Sequence, residues 1–120
     1  MIMNAGKAEL ANLAGGVSTP VAFTYAAYGT GTTAAAATQT ALVTQSQRAA
    51  ATVTRTTTTS SNDTTQWSKT FSISTTETIS EVAVFNASHG GTMLTRSILS
   101  PPRSVVSGDS FTYTQKVVFA

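Results

Sequence analysis

The stretch from Ile79 to Ile98 constrains the fold of this chain more than any other segment. An apolar run, Val82–Phe85, leads into a turn that contains Gly90 and Gly91, and a second largely apolar run leads out of it. Glycine adopts positive φ angles without steric cost, so this pattern predicts a β-hairpin with a loop of about five residues. The first strand has no polar face, which is typical of a strand covered on both sides in the middle of a sheet.

Four further segments have the composition or alternation of β-strands that would cover this hairpin. They are Val21–Tyr28, Arg48–Thr59, Thr64–Ser74 and Ser110–Phe119. Ser60–Asp63 predicts a turn that joins the second and third of them into another hairpin. Proline cannot donate a ladder hydrogen bond, so Pro101 and Pro102 are expected to end the strand that contains Ile98. The segment Thr38–Gln47 could form one or two helical turns, but its low apolar content predicts a surface excursion.

One short helix is predicted at the N-terminus. It covers Met1–Gly16, with Asn4 as the N-cap and Gly15–Gly16 as the stop signal. A helix of roughly ten residues is marginal alone, so it must dock on another element. The pattern as a whole predicts a single all-β, mainly antiparallel domain over residues 1–120, with a helical segment at 1–16 and strands within 21–120. Its architecture is expected to be a β-sandwich or an open barrel.

The chain has few charged residues and many hydroxyl groups, and this composition argues against some classes of partner. Charged residues make up 10% of the chain, whereas Thr and Ser account for 38 of its 120 residues. Small hydroxyl side chains suit half-exposed strands, and close packing between proteins would desolvate few charges. The net charge is only +2 and the basic residues are dispersed, which argues against a nucleic-acid partner. Cysteine is absent and no apolar run reaches about 18 residues, so neither disulfides nor a membrane partner is expected.

No catalytic, cofactor or metal site is expected. The chain has one histidine, His89 in the glycine-rich turn, and five carboxylates. A serine nucleophile would need a Gly-x-Ser-x-Gly elbow or a similar convergence of groups, which the sequence lacks. Gly29–Thr33 lacks the Lys-Ser/Thr end of a phosphate loop and is interpreted as a turn. Trp67 and Phe71 are expected in the core, and an aromatic platform for glycans is the remote alternative.

The threonine-rich strands admit two interpretations. Their outer faces are either solvated surfaces or surfaces that pair with sister subunits in a larger assembly. Long strands with few charges are poorly protected against edge pairing, which adds weight to the second interpretation. The sequence leaves both interpretations open.

Three segments, taken in order, resemble modules of tailed-bacteriophage virions. Asn4–Ala11 is similar to the opening of tail-collar fibre domains. Phe23–Gly31, followed by Thr40–Leu42 and Arg48, resembles the strand, the glycine turn and the next segment of such modules. Glu81–Leu94 is similar to their Glu-x-Gly-Leu-Phe … Gly-Gly-x-Leu hairpin. The chain therefore resembles tail-collar fibre and decoration-type β domains of tailed phages.

This resemblance implies a non-enzymatic structural protein of the virion, made in the host cytoplasm. Ala83 stands where the hairpin of the family has a glycine, so the packing of the hairpin is expected to differ. A fibre needs a shaft and a receptor-binding tip beyond its attachment domain, whereas this sequence ends at Ala120. A capsid decoration (cement) protein that stabilises the head surface is therefore favoured. A small tail, neck or baseplate component, or a fibre-attachment component, is the alternative, and a glycan-binding module is more remote.

The expected partners are the major capsid protein or other virion proteins. The chain is also expected to form a homo-oligomer, with a trimer favoured around a symmetry axis. The short apolar helix and the glycine turn are the candidate contact segments. Their residues are Ile2, Met3, Leu10, Leu13, Tyr28, Gly29 and Gly31.

Overall fold

The computed structural model describes residues 1–119, so Ala120, the last residue of the predicted domain, lies outside the described part of the chain. One helix precedes seven strands. They are α1 (Asn4–Gly15), β1 (Tyr25–Gly29), β2 (Gln45–Ala50), β3 (Thr52–Thr56), β4 (Thr64–Ser72), β5 (Glu77–Phe85), β6 (Met93–Val105) and β7 (Ser110–Val118). No helix among these residues is long and apolar enough to cross a membrane.

The strands form two antiparallel sheets, and the predicted all-β fold with a short N-terminal helix is confirmed. The first sheet has the strand order β2-β1-β5-β6, and the second has the order β3-β4-β7. Tyr28 of the first sheet packs edge-on against Phe71 of the second, with ring centroids 4.9 Å apart. Of the two predicted architectures, the sandwich is the one that the chain adopts.

Strand β5 lies in the middle of the first sheet, as its unbroken apolar run predicted. Every residue from Ile79 to Phe85 is buried. Val82 and Val84 belong to the main core between the sheets, together with Trp67 and Phe71. The alternate residues of the strand face a second cluster, in which Ala83 and Phe85 pack with Met3, Leu42 and Met93. The strand is therefore covered on both faces and paired on both edges.

The prediction of one long strand over Arg48–Thr59 is wrong, because the chain changes sheets at Ala51. Strand β2 ends at Ala50 and pairs with β1, whereas β3 begins at Thr52 and pairs with β4. The Ala51 N–H donates to the Thr24 carbonyl at 2.8 Å and anchors the crossing. A run of small Ala and Thr residues has no apolar face, so its pattern does not indicate which sheet each half joins.

Two neighbouring boundaries also differ from the prediction. Strand β1 begins at Tyr25 rather than Val21, which is half exposed. The ambiguous segment Thr38–Gln47 contains no helix, and its last three residues belong to β2. Leu42 is the buried residue of this segment, which therefore lies on the surface with a single apolar anchor.

Strand β6 does not end at the two prolines, so that prediction is also wrong. The strand continues to Val105 through a shift in register, in which Ile79 pairs with Arg103 but Glu81 pairs with Ile98. Leu99–Pro102 therefore bulge out opposite Ser80 without partners in β5. A bulged residue makes no ladder hydrogen bond, so the missing N–H of proline is tolerated there.

Helix α1 docks on β6 through a glycine. A Cβ atom on Gly6 would lie 2.8 Å from the Cα of Leu94, so only glycine allows this close approach of the two backbones. Met3, rather than the predicted Asn4, is the N-cap, and it makes no side-chain capping bond. The predicted stop is confirmed, because Gly16 adopts a left-handed φ of 60° and its N–H donates to Asn12.

Candidate functional site

The polar centre of the molecule is the Glu81 carboxylate on β5, which is fully buried. Its Oε2 atom accepts the backbone N–H groups of Gly31 at 2.9 Å and Thr44 at 2.7 Å. Its Oε1 atom accepts the N–H of Val43 at 2.9 Å and the Arg96 Nε–H at 3.0 Å. All three backbone donors belong to the long connection between β1 and β2. One carboxylate therefore fastens both ends of that connection to the sheet.

Arg96 on β6 forms a buried ion pair with Glu81 and makes further hydrogen bonds to the same connection. Its side chain is 0% exposed, as is that of Glu81. Its Nη1 atom donates to the Thr33 carbonyl at 2.9 Å and to Gln39 Oε1 at 3.1 Å, so it holds the middle of the same connection. Within residues 1–119, its Nη2 atom has no hydrogen-bond partner.

The buried Glu81 carboxylate stays ionised because the hydrogen bonds that it accepts lower its pKa by more than burial raises it. Burial by itself raises the pKa of the Glu81 carboxyl. The three backbone N–H donors and the Arg96 guanidinium lower it by more, so the pKa of Glu81 lies below its ordinary value. Neither side chain of the pair is exposed, and their hydrogen bonds hold the connection in place.

The glycine turn after β1 is shaped by this carboxylate. A Cβ atom on Gly31 would lie 2.5 Å from Glu81 Oε2, and one on Gly29 would lie 2.6 Å from the same oxygen. The Cβ on Gly29 would also overlap the Thr44 carbonyl oxygen. Neither glycine has a positive φ, so space rather than backbone conformation requires them.

The turn of the central hairpin is fixed from outside by Arg48 on β2. The guanidinium lies over the Phe85 ring, 3.5 Å from its centroid. Its Nη1 atom donates to the carbonyls of Ala87 and Gly90, at 3.1 and 2.8 Å. Burial lowers the pKa of Arg48. His89 is exposed at the tip of this turn.

The candidate contact residues lie in two segments, residues 2–13 and 28–31, and most of their surface is covered. Met3, Tyr28, Gly29 and Gly31 are buried, whereas Ile2, Leu10 and Leu13 are partly buried. The most exposed large apolar residues are Val17 at 79%, Met1 at 57%, Val106 at 54% and Phe119 at 54%, and none of them is a candidate residue. That the candidate residues contact other virion proteins stays a prediction.

The threonine-rich surface is the outer face of the second sheet. Thr52, Thr54, Thr70, Thr112 and Thr114 are all exposed there. Hydroxyl groups bond across neighbouring strands, with Thr70 Oγ1 2.9 Å from Thr112 Oγ1. In the part of the chain that the structure describes, no cluster of three or more His, Asp or Glu side chains could hold a metal ion. Trp67 is only 4% exposed and donates its Nε1–H to the Phe23 carbonyl, which confirms its place in the core.

Asp63 organises the turn between β3 and β4. Its carboxylate accepts the N–H groups of Thr58, Thr59 and Ser60 at 2.8–3.0 Å. The hydrogen bonds from the backbone of Ser60, Thr58 and Thr59 hold the pKa of Asp63 below its ordinary value. Because the folded pKa is lowered, this stabilisation is present above the pKa of the unfolded chain and is lost as pH falls through the folded value.

An Asp63→Asn substitution is expected to loosen this turn without unfolding the sheets. In either orientation of the amide, its NH₂ group would face at least one backbone N–H donor, so amide exchange at 58–60 should accelerate roughly tenfold in hydrogen-exchange NMR. Asp109→Asn in the β6–β7 turn is the matched control and should leave these amides unchanged. Equal exchange in both variants would show that Asp63 does not hold the turn.

Sequence reasoning did not identify the Glu81–Arg96 pair. Fifteen positions separate the two residues, and either one alone is an ordinary strand residue. The one available signal was the resemblance, whose segments contain Gly29, Gly31 and Glu81 but not Arg96. Gly29, Gly31 and Glu81 form a buried framework.

Comparison with known proteins places this framework in a family. A search of the curated proteins finds no match. Residues 2–118 match the sequence model of a family described as "Podophage GP4 fiber I protein gp80". The match covers α1 and all seven strands, and therefore the hairpin, the glycine turn and the buried pair together. This chain accordingly belongs to the podophage GP4 fiber I protein gp80 family and is a structural protein of a tailed-phage virion.

Proposed function

We propose that this chain is a non-enzymatic component of a phage fibre that fastens the fibre to the virion. The observation that carries this proposal is the family match over residues 2–118, whose description names a fibre protein. The geometry supports it, because the buried ion pair found among residues 1–119 is not exposed and its hydrogen bonds hold a connection between strands. A rigid sandwich with sparsely charged faces suits a part that transmits load between other proteins.

The partners in this proposal are other virion proteins, with neither nucleic acid nor membrane among them. The small net charge of +2 supports the absence of a nucleic-acid partner. We also propose that the chain works as a homo-oligomer, with a trimer as the expected state. The hydroxyl-rich outer face of the second sheet would pack against other proteins with little charge desolvation.

Capsid decoration remains the second candidate, with the major capsid protein as its partner. It ranks lower because the family description names a fibre and not a head protein. A glycan-binding role ranks lower still, because Trp67 is buried and offers no face for a sugar ring.

The copy number per particle separates these functions. Quantitative mass spectrometry of purified virions, calibrated on the major capsid protein, is expected to give about 3, 6 or 12 copies, or a small multiple set by the tail symmetry. A map of the particle should place the chain at the tail or the neck. Hundreds of copies spread over the head would contradict the fibre proposal and support decoration.

A further inference from the structure

Strand β7 has one open edge along its full length. It pairs only with β4, over the nine residues Ser110–Val118 and without a register shift. Hydrogen bonds from Ile73 N to Asp109 O and from Phe119 N to Asp63 O mark both ends of the ladder. Hydrogen-bonded pairs alternate along an antiparallel ladder, so the N–H and C=O groups of Thr112, Thr114 and Lys116 point away from β4.

The other edges of the two sheets are better protected. Residues 1–3 run along β6 at its start, where Ile2 bridges to Thr95 and the Arg96 N–H donates to the Met1 carbonyl. Two prolines in a bulge block the middle of β6. Edge strands β2 and β3 have only six and five residues. Strand β7 has no proline, no bulge and one lysine, so it is the edge most open to an added strand.

A groove lies beside this edge, where the two sheets separate between β6 and β7. Its volume is about 430 Å³, and Leu99, Pro101, Phe111 and Tyr113 contribute apolar walls. Arg103 is the charged side chain that lines it, and no carboxylate does so among the described residues. A strand added to β7 would project every second side chain into this groove.

We propose that the open edge of β7 accepts an extended segment of a neighbouring virion protein, which adds a fourth strand to the second sheet. Alternate side chains of that segment are apolar and fill the groove, and one carboxylate faces Arg103. The inference rests on the proposed function, because it requires a neighbouring virion protein. It adds the docking edge and the chemistry of the segment that docks.

Charge and packing favour a different protein over a second copy of this chain. The charged side chains of the edge strands β3 and β7 are Arg55 and Lys116, so edge pairing between copies would bring no carboxylate to Arg103. In a second copy, Phe111 and Tyr113 are already buried in that copy's own core. They are therefore unavailable to fill the groove of a neighbour.

Site-specific photo-cross-linking in assembled particles tests the proposal. A benzophenone amino acid replaces Thr114 at the open edge, and Val53 serves as the control, because it is exposed at the far edge of the sheet but does not lie on its outer face. After irradiation, mass spectrometry is expected to find cross-links from position 114 within one continuous segment of a different virion protein. Cross-links only to a second copy, or none in particles that contain the chain, would overturn the proposal. Either result would leave the copy number, and hence the fibre function, unaffected.

Two pairs of variants test the strand addition and the charge separately. Thr114→Pro removes an N–H that faces the open edge, and Val53→Pro makes the corresponding change on β3. Arg103→Glu reverses the charge of the groove, and Arg55→Glu makes the same charge reversal on β3. Incorporation into particles should fall at least about tenfold for the first member of each pair and stay unchanged for the second, with thermal melting as the check on folding. Normal incorporation of a folded Thr114→Pro or Arg103→Glu chain would contradict the proposal.

Discussion

Replacing Glu81 with glutamine is expected to lower the free energy of unfolding by about 3–5 kcal/mol, a large part of the stability of a small domain. The carboxylate accepts four hydrogen bonds, two on each oxygen. The amide NH₂ group of glutamine would face two donors instead, and Arg96 would keep a buried, uncompensated charge. Urea unfolding followed by Trp67 fluorescence measures the change.

Glu77→Gln is the matched control for this prediction. Glu77 lies on the same strand, but it is only half-buried and accepts one side-chain bond, from Ser46. Its substitution should change stability by less than about 1 kcal/mol. Adding Arg96→Met to the Glu81→Gln chain should restore part of the loss, because the uncompensated guanidinium is removed. A loss under about 1 kcal/mol for Glu81→Gln would show that the pair does not hold the connection.

The same carboxylate gives the protein a defined dependence on pH. The folded pKa of Glu81 is lower than that of the unfolded chain. Its stabilisation is therefore complete above the unfolded carboxyl value, about 4.3, and is lost as pH falls through the folded value. The Glu81→Gln chain should lose less stability than the unaltered chain between neutral pH and that acid range.

A Gly29→Ala substitution is expected to cost about 2–3 kcal/mol. The new methyl group would lie 2.6 Å from Glu81 Oε2 and would overlap the Thr44 carbonyl oxygen. Relief of this overlap requires the β1–β2 connection to move away from the carboxylate that holds it. The loss should therefore appear in urea unfolding together with faster amide exchange at Val43 and Thr44.

Gly15→Ala near the end of α1 is the control, because this substitution is not expected to lower the stability of the chain. A Cβ atom there would lie 3.2 Å from Val17 Cγ2, and Val17 is 79% exposed and free to move. Alanine also favours helix over glycine by about 1 kcal/mol. The Gly15→Ala chain should be as stable as the unaltered chain or more so. Equal effects at positions 15 and 29 would contradict the steric explanation.

The glycine turn after β1 has a structural role that its local sequence pattern did not reveal. Its contact with other virion proteins stays a prediction. In the structure, Gly29 and Gly31 make room for a carboxylate that lies fifty positions further along the chain from Gly31. A local sequence pattern does not indicate this long-range contact, because the contact forms only when β1 pairs with β5.

The sequence by itself determined the elements whose signal is local. The apolar run of β5, the alternation of β4 and β7 and the glycine stop of α1 depend on burial and φ angles that neighbouring residues decide. Tertiary structure decided the crossing at Ala51, the continuation of β6 past its prolines and the burial of Glu81 with Arg96. These features depend on which strands become neighbours, because small residues, bulged prolines and single charges carry no periodic signal of their own.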